Sequence, residues 1–180
     1  MRKYTWYPYV DFNRTWDEYR DGFGDLNFHG NFWLGNEKLF LVTTHRNMKF
    51  NIQMTTLGTF KQHFYGTFQV SNESSGYQVS FQSNYPNTLE DGLHYLNNCM
   101  EYQRDMLFTT IDRDNDLNSG GNCAQIHLSG WWYNDCGGCN PTGKLQPKSE
   151  THQSSDPTYM SVPVPGDWAA DTMQLILENM

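Results

Sequence analysis

Asp112-Arg113-Asp114-Asn115-Asp116 is the most informative run of residues in this chain. Carboxylates at alternate positions can cradle a hard cation, because such cations prefer oxygen ligands. The run is followed by Asn122-Cys123-Ala124 and by Gly130-Trp131-Trp132-Tyr133-Asn134-Asp135-Cys136, so two cysteines can close the loop that holds the cradle. Asp-rich loops also occur as solvated turns in which Asp caps backbone amides. Oxygen ligands, sulfur and tryptophan together favour extracellular recognition over catalysis.

The bulk composition limits the classes of protein to consider. The chain has 180 residues, of which 16% are aromatic, and carries a formal net charge of -8. The aromatic residues can fill a sizeable core, and the negative charge argues against nucleic-acid binding. No apolar run is long enough for a transmembrane helix. Residues 1–8 lack the apolar core of a signal peptide, so a secreted protein would carry its signal upstream, or the chain would be a fragment.

The four cysteines are Cys99, Cys123, Cys136 and Cys139, which allow three disulfide connectivities. Cys136 and Cys139 form a CxxC motif. No second CxxC or histidine pair stands at zinc-like spacing, so structural disulfides are favoured over a metal or redox site. Asn13 and Asn72 begin N-x-S/T sequons and are predicted glycosylation sites.

Local patterns predict helices and strands in the first half of the chain. Thr15 and Glu18 form a capping box, which predicts a helix over 16–21 that stops at Gly22 or Gly24. A second helix is expected to open at Asn36-Glu37. Alternating apolar residues then predict three strands, with residues 72–76 as a hairpin loop between the last two. The alternating sets are Phe50, Ile52 and Met54; Phe64, Gly66, Phe68 and Val70; and Tyr77, Val79 and Phe81.

The second half is predicted to be rich in loops. We therefore expect one domain over 1–180, with the sheet and helices in about 1–84 and a loop-rich binding part in about 85–180. Helices and strands that do not alternate indicate the α+β class.

The sequence resembles the fibrinogen C-terminal, or fibrinogen-related, domain family over roughly residues 10–136. The matching motifs are residues 11–24, 32–39, 112–116, 122–124 and 130–136. The resemblance implies an α+β fold with a twisted, mainly antiparallel sheet and a calcium-bearing C-terminal subdomain. The N-terminal subdomain of that fold, with its own cysteine pair and a strand of the central sheet, is expected to be absent, since Met1 to Val10 are too short to replace it. Residues 99–106 look like an insertion.

The resemblance implies a Ca²⁺ site made by the side chains of Asp114 and Asp116 and the carbonyl oxygens of Asn118 and Gly120. The loop is one residue longer than the common form, so the carbonyl register is open to a shift by one. The resemblance also implies a Cys123–Cys136 disulfide. It assigns no partner to Cys99 or Cys139.

Lectin-like members of the family bind acetyl groups of sugars beside this loop. The matching positions here are His127, Tyr133, Asp135 and Gly137, with Tyr133 expected to be partly exposed and a cis peptide expected at Asp135–Cys136. Gly137 lacks the imidazole that the family has there. Trp131 and Trp132 are interpreted as core residues. Tyr159 and Trp168 are candidates to complete the pocket.

The resulting hypothesis is a secreted, calcium-dependent recognition module that binds glycans, N-acetylated sugars among them, or microbial surfaces in innate defence. A matrix or receptor-binding module that recognises an extracellular protein is the alternative, and a truncated, non-functional copy is a third. Neither HExxH nor GxSxG occurs, so no enzyme is predicted. Oligomerisation is expected to depend on segments outside this sequence.

Overall fold

The computed structural model describes residues 1–4, 9–27, 30–56, 59–83, 94–95, 99–145, 160 and 172–180. The helices in these ranges are α1 (Trp16–Asp21), α2 (Asn36–His45) and α3 (Cys123–His127), with 3₁₀ turns at Glu73–Ser75 and Cys99–Gln103. The strands are β1 (Arg2–Tyr4), β2 (Phe23–Gly24), β3 (Phe32–Trp33), β4 (Met48–Thr56), β5 (Thr59–Val70), β6 (Val79–Gln82), β7 (His94–Tyr95) and β8 (Thr172–Asn179). These elements confirm the α+β class.

The strands form one sheet in the order β2-β3-β1-β8-β4-β5-β6, and β7 pairs with β5 in parallel. The long β8 strand lies at its centre and pairs with β4 from Met48↔Asn179 to Thr55↔Thr172. On its other side β8 pairs with β1, in the register Arg2↔Gln174. The first residues of the chain thus contribute a three-residue strand that is paired on both sides, with β3 and with β8.

The side chain of Lys3 bonds β1 to the loop-rich half of the chain, at Thr142 and Gly143. The side chain is only 5% exposed, and Nζ donates to the carbonyl oxygens of Thr142, at 2.9 Å, and of Gly143. The ammonium also lies 4.1 Å from the centre of the Phe12 ring. Burial lowers the Lys3 pKa from its ordinary value of 10.5 to about 7, and the negative charge of Asp11 opposes this shift.

The helix predicted over 16–21 is confirmed. The Thr15 side chain accepts from the Glu18 amide, and a Glu18 carboxylate oxygen accepts from Thr15 N at 2.9 Å, which completes the capping box. The helix ends at Gly22, whose φ of +90° favours glycine. The helix predicted to open at Asn36-Glu37 is also confirmed and runs to His45.

For β5, the prediction of which residues face the core is wrong at the start of the strand, where Phe64 was expected to face inward. In β5 the core-facing residue is Tyr65, which pairs with Phe50, whereas Phe64 pairs with Asn51 on the other face. The cause is a bulge: the register shifts between Gly66 and Gln69, and Thr67 has a φ of +46°. The alternation from Phe68 to Val70 and from Val79 to Phe81 faces the core as predicted.

An aromatic core joins the two halves of the chain. Phe108 is fully buried, and its ring centre lies 5.1 Å from those of Tyr19 and Trp132 and 5.9 Å from that of Trp33. Tyr19 adds a polar link, since its hydroxyl donates to the Phe12 carbonyl at 2.7 Å and accepts from Gly130 N at 2.9 Å. The loop-rich half is thus packed on α1 and β3. No helix in the described part of the chain is both long and apolar enough to cross a membrane.

Candidate functional site

The acidic loop is anchored to the fold by its first carboxylate. Asp112 Oδ1 accepts from Trp16 N, the first amide of α1, at 2.9 Å and from Thr110 Oγ1 at 2.7 Å. The Arg113 guanidinium lies 3.9 Å from the Trp16 ring centre. Asp112 is therefore directed at a helix N-terminus, where a negative charge is favoured. This oxygen is thus engaged by the fold, and the Ca²⁺ ligands that the resemblance implies are the next two acids, Asp114 and Asp116.

The other two acids of the loop lie side by side. Asp116 is half-buried and accepts from two backbone amides, Asn118 N at 3.0 Å and Cys123 N at 2.8 Å. Asp114 is exposed and accepts from Asp116 N at 3.3 Å. Burial, and to a smaller extent the charge of Asp114, raise the pKa of Asp116, while the two amides lower it. Two neighbouring carboxylates in such a place are stabilised by a cation.

The hydrogen bonds of the loop bear on which backbone carbonyl oxygens are available to a cation. Asn118 Nδ2 donates to Gly121 O at 2.9 Å, and Asn118 Oδ1 accepts from Gly120 N at 3.0 Å. In the described part of the chain the carbonyl oxygens of Asn118 and Gly120 accept no hydrogen bond, whereas that of Gly121 is occupied. Asn118 and Gly120 therefore have carbonyl oxygens available to a cation, and the register stays a prediction.

The oxygen donors of this loop fit a hard cation such as Ca²⁺. The residues that would hold it are Asp114 and Asp116, through their carboxylates, and Asn118 and Gly120, through their carbonyl oxygens. Among the described residues no three His, Cys, Asp or Glu side chains converge as a metal site. A cation here would therefore depend on carbonyl oxygens and water for its remaining ligands.

A disulfide begins directly after the acidic loop and joins the end of that loop to Cys136. The sulfur atoms of Cys123 and Cys136 are 2.10 Å apart, and Asn118 Nδ2 lies 3.2 Å from the Cys136 sulfur. Leu117 N donates to the Asn134 carbonyl at 2.7 Å, so the loop is bonded to the turn before Cys136 as well. Cys139 is also disulfide-bonded. The side chain of Cys99 lies outside the described residues.

Two of the predicted pocket residues are internal. His127 is 8% exposed, and its ring stacks on that of Tyr133 with centres 5.1 Å apart. Its Nε2 lies 2.9 Å from the Cys136 carbonyl oxygen, a hydrogen-bond distance. Tyr133 is 1% exposed, and its hydroxyl bonds with Ser129 and Asn140. The expectation that Tyr133 is partly exposed is wrong, because that polar network holds the hydroxyl inside.

The other two pocket residues, Asp135 and Gly137, are exposed. The cis peptide expected at Asp135–Cys136 is absent, since no cis bond occurs among the described residues. Cys136 instead has a φ of +53°, and this left-handed residue turns the chain with a trans bond. Tyr159 and Trp168, the other pocket candidates, lie outside the described residues.

Sequence reasoning missed Tyr102, which borders this turn. Its ring is 48% exposed, and its Cε1 lies 3.4 Å from the point where a Cβ on Gly137 would be. Asn134 Nδ2 donates to the Tyr102 carbonyl at 2.9 Å, and Gln103 Nε2 donates to Gly137 O at 2.9 Å. The available signal was a tyrosine within residues 99–106, the segment predicted to be an insertion. We call Tyr102, Leu117, Asp135 and Gly137 the recognition face; Leu117 is 64% exposed.

Comparison with known proteins agrees with this architecture. The family described as fibrinogen beta and gamma chains, C-terminal globular domain, matches residues 8–169, and the chain belongs to that family. It is 38% identical to bovine (Bos taurus) fibroleukin over 137 residues, which is 75% of this chain and 30% of that protein. It is 36% identical to the human fibrinogen alpha chain over 144 residues, 77% of this chain and 16% of that one. The chain thus spans less than a third of these curated relatives.

Solved structures show the same fold. The fibrinogen-like globe domain of human ANGPTL2 superposes with a TM-score of 0.81 at 27% identity, covering 99% of this chain and 77% of that domain. Lamprey fibrin D-dimer, complexed with the peptide ligand Gly-His-Arg-Pro-amide, gives a TM-score of 0.75 at 25% identity and covers 98% of this chain and 59% of that one. The fold is that of a fibrinogen-like globe.

Proposed function

We propose that this chain is an extracellular, calcium-holding recognition module that binds a peptide segment of another protein at the recognition face. The observation that carries the proposal is the pair of exposed side chains, Tyr102 and Leu117, whose backbones are both bonded to Asn134. Extracellular location agrees with the disulfides, which persist in oxidising compartments. A solved structure with this fold, lamprey fibrin D-dimer, is complexed with a peptide ligand, and this sequence contains neither HExxH nor GxSxG.

The recognition face has the composition of a protein contact. Tyrosine is enriched in interfaces and in binding hot spots, because it offers a large amphipathic surface with few rotatable bonds. Asn134 fixes both neighbours: its carbonyl accepts from Leu117 N at 2.7 Å and its Nδ2 donates to Tyr102 O at 2.9 Å. A rigid aromatic residue loses little entropy when a partner binds.

Bound calcium would affect the recognition face by fixing the position of Leu117. Asp116 and Asn118 flank Leu117 in the sequence, so a cation bound to them restricts the backbone that presents its side chain. The bound ion would also relieve the repulsion between Asp114 and Asp116. The structure of lamprey fibrin D-dimer with a tetrapeptide supports a peptide as the class of ligand.

N-acetylated sugars, as on microbial surfaces, are the second candidate ligand. The exposed Tyr102 and Asp135, which both border Gly137, favour it, because an aromatic ring packs on the apolar face of a sugar and a carboxylate accepts hydrogen bonds from its hydroxyl groups. Against it, His127 and Tyr133 are buried and Gly137 offers no hydrogen-bonding side chain. A role in innate defence depends on this second candidate.

Binding to a displayed peptide library and to an array of N-acetylated glycans, each with calcium or with EDTA, tests the proposal. We expect peptides to be retained in calcium and lost in EDTA. The variant Tyr102→Ala is expected to weaken peptide binding at least about tenfold, as for a hot-spot tyrosine. Tyr9→Ala is the matched control, since Tyr9 is 68% exposed and lies outside the face.

Binding to glycans alone would replace the proposal with the second candidate. Peptide binding that is indifferent to Tyr102→Ala would contradict the recognition face. A chain that shows no cooperative thermal transition in calcium would instead match the third hypothesis, a truncated copy that does not function.

A further inference from the structure

The two sequons of the chain lie in different surroundings. Asn72-Glu73-Ser74 is in the hairpin loop between β5 and β6, and Asn72 caps the 3₁₀ turn Glu73–Ser75. Asn13-Arg14-Thr15 leads directly into α1, and Thr15 is the N-cap of that helix. A glycan needs an asparagine amide nitrogen at the surface with room around it, so these surroundings distinguish the two sites.

Asn72 presents its amide nitrogen outward. The residue is exposed, as are Ser74 and Ser75. Its Oδ1 accepts from Ser75 N at 3.0 Å and from Ser74 Oγ at 2.9 Å, so the oxygen faces the protein. Among the described residues, Asn72 Nδ2 donates to no acceptor. The hydroxyl of the sequon is thus bonded to the amide of the same sequon, and the nitrogen is free for modification.

Asn13 lies in different surroundings. The residue is half-buried, and its Oδ1 is buried without a partner among the described residues. The Thr15 hydroxyl is engaged by Glu18: it accepts from the Glu18 amide and donates to Glu18 Oε2 at 3.0 Å. Arg14 is paired with Glu18 as well, at 2.7 Å. This sequon is part of the start of α1.

We propose that Asn72 is the N-glycosylated residue of this chain and that Asn13 is unmodified. The inference rests on the extracellular location in the proposed function. The reaction joins Asn72 Nδ2 to the anomeric carbon of an oligosaccharide, while the bond from that carbon to the diphosphate of a polyprenyl-diphosphate donor breaks. The amide nitrogen loses one proton, and the polyprenyl diphosphate leaves with the electron pair.

Modification at Asn72 leaves the fold intact. The cap bonds use Oδ1 alone, and the glycosylated amide keeps that oxygen. The neighbouring Glu73 accepts from Trp16 Nε1 at 2.7 Å, a contact that does not involve the Asn72 side chain. At Asn13, by contrast, the threonine of the sequon caps α1 through its hydroxyl, and the asparagine itself is half-buried.

Secretion from a eukaryotic cell tests the site. The chain is expressed behind a cleavable signal peptide, with one additional sequon in a flexible tag as a positive control. Intact mass is measured before and after peptide-N-glycosidase, and the modified peptides are sequenced. We expect one glycan on the chain itself, lost in Asn72→Gln and in Ser74→Ala, and unchanged in Asn13→Gln.

A glycan on Asn13, or an unmodified Asn72 in a secreted molecule whose tag is modified, would overturn the inference. A chain that is not secreted, with its tag unmodified, would contradict the extracellular location and with it the inference. Ligand binding is measured separately, so failure of peptide binding with Asn72 modified would affect only the proposed function.

Discussion

The sheet and the acidic loop are stabilised in different ways. In the sheet, β4 and β8 pair over eight residues and place Phe50, Ile52 and Met54 in an apolar core. From 108 to 143 the described residues contain one five-residue helix, and the chain is held by a disulfide and by side chains bonded to the backbone. Apolar burial is tolerant of small changes, whereas a loop of this kind depends on a few specific atoms.

The largest effect is expected at the core that the two regions share. Phe108→Ala removes a fully buried ring that contacts Tyr19, Trp33 and Trp132. We expect a loss of about 3–5 kcal/mol in the free energy of unfolding, because the ring leaves a cavity that rigid neighbours cannot fill. Urea denaturation followed by tryptophan fluorescence measures it. Leu117→Ala, at an exposed position, is the control, and equal effects of the two would contradict a common core.

Removal of the disulfide is expected to destabilise the acidic loop without destabilising the sheet. The double variant Cys123→Ser with Cys136→Ser loses a link that closes a short loop, worth about 3 kcal/mol in the chain-entropy model. Hydrogen exchange should then accelerate in residues 112–137 while the amides of β4 and β8 keep their protection. Equal acceleration in both regions, under conditions where the chain stays folded, would show that the loop is not an independent unit.

Lys3 bonds the sheet to the loop-rich region, and its protonation makes the free energy of unfolding depend on pH. Burial lowers its pKa to about 7 from 10.5, so between these values the unfolded chain binds more protons and the free energy of unfolding rises with pH. The expected gain from about pH 7 to about pH 9 is about 2 kcal/mol. Urea denaturation across this range should show the gain in the parent and in Lys38→Met, an exposed control. A gain of the same size in Lys3→Met would rule out Lys3 as its source.

The smallest effect is expected at the start of α1. Thr15→Ala removes the N-cap and should lower stability by about 1 kcal/mol. Thr44→Ala, at an exposed position on α2, should change it by less than about 0.5 kcal/mol. The two melting temperatures are compared directly. If Thr15→Ala lowers the melting temperature no more than Thr44→Ala does, the packing of Trp16 and Tyr19 is sufficient to stabilise this helix.

The sequence predicted best what is decided locally. The capping box at Thr15 and Glu18 and the glycine at position 22 determine α1 within a few residues. The phase of β5 was missed because the bulge at Thr67 is set by pairing with β4, which is a long-range contact. The burial of Tyr133 depends on Ser129 and Asn140, whose convergence has no sequence pattern.

In the candidate site, too, local features could be predicted and features that depend on long-range contacts could not. The cysteine pair and the loop oxygens follow from the motifs and the resemblance. The cis peptide and the open pocket at His127 did not appear, because Cys136 turns through a positive φ and His127 stacks on Tyr133. Tyr102 reaches Gly137 only through the tertiary path of residues 99–106, which a single sequence does not reveal.

Calcium titration is the most direct test that the acidic loop is a cation site rather than a solvated turn, since the hydrogen bonds that backbone amides donate to Asp116 are compatible with both. Melting of the chelated protein is followed as calcium is added. A ligand that binds only the folded state adds about 2.7 kcal/mol at a hundredfold excess over its Kd. We predict a concentration-dependent rise in melting temperature that is lost in Asp114→Asn and Asp116→Asn and kept in Asp135→Asn. An unchanged melting temperature up to millimolar calcium, with both acids present, would contradict the site.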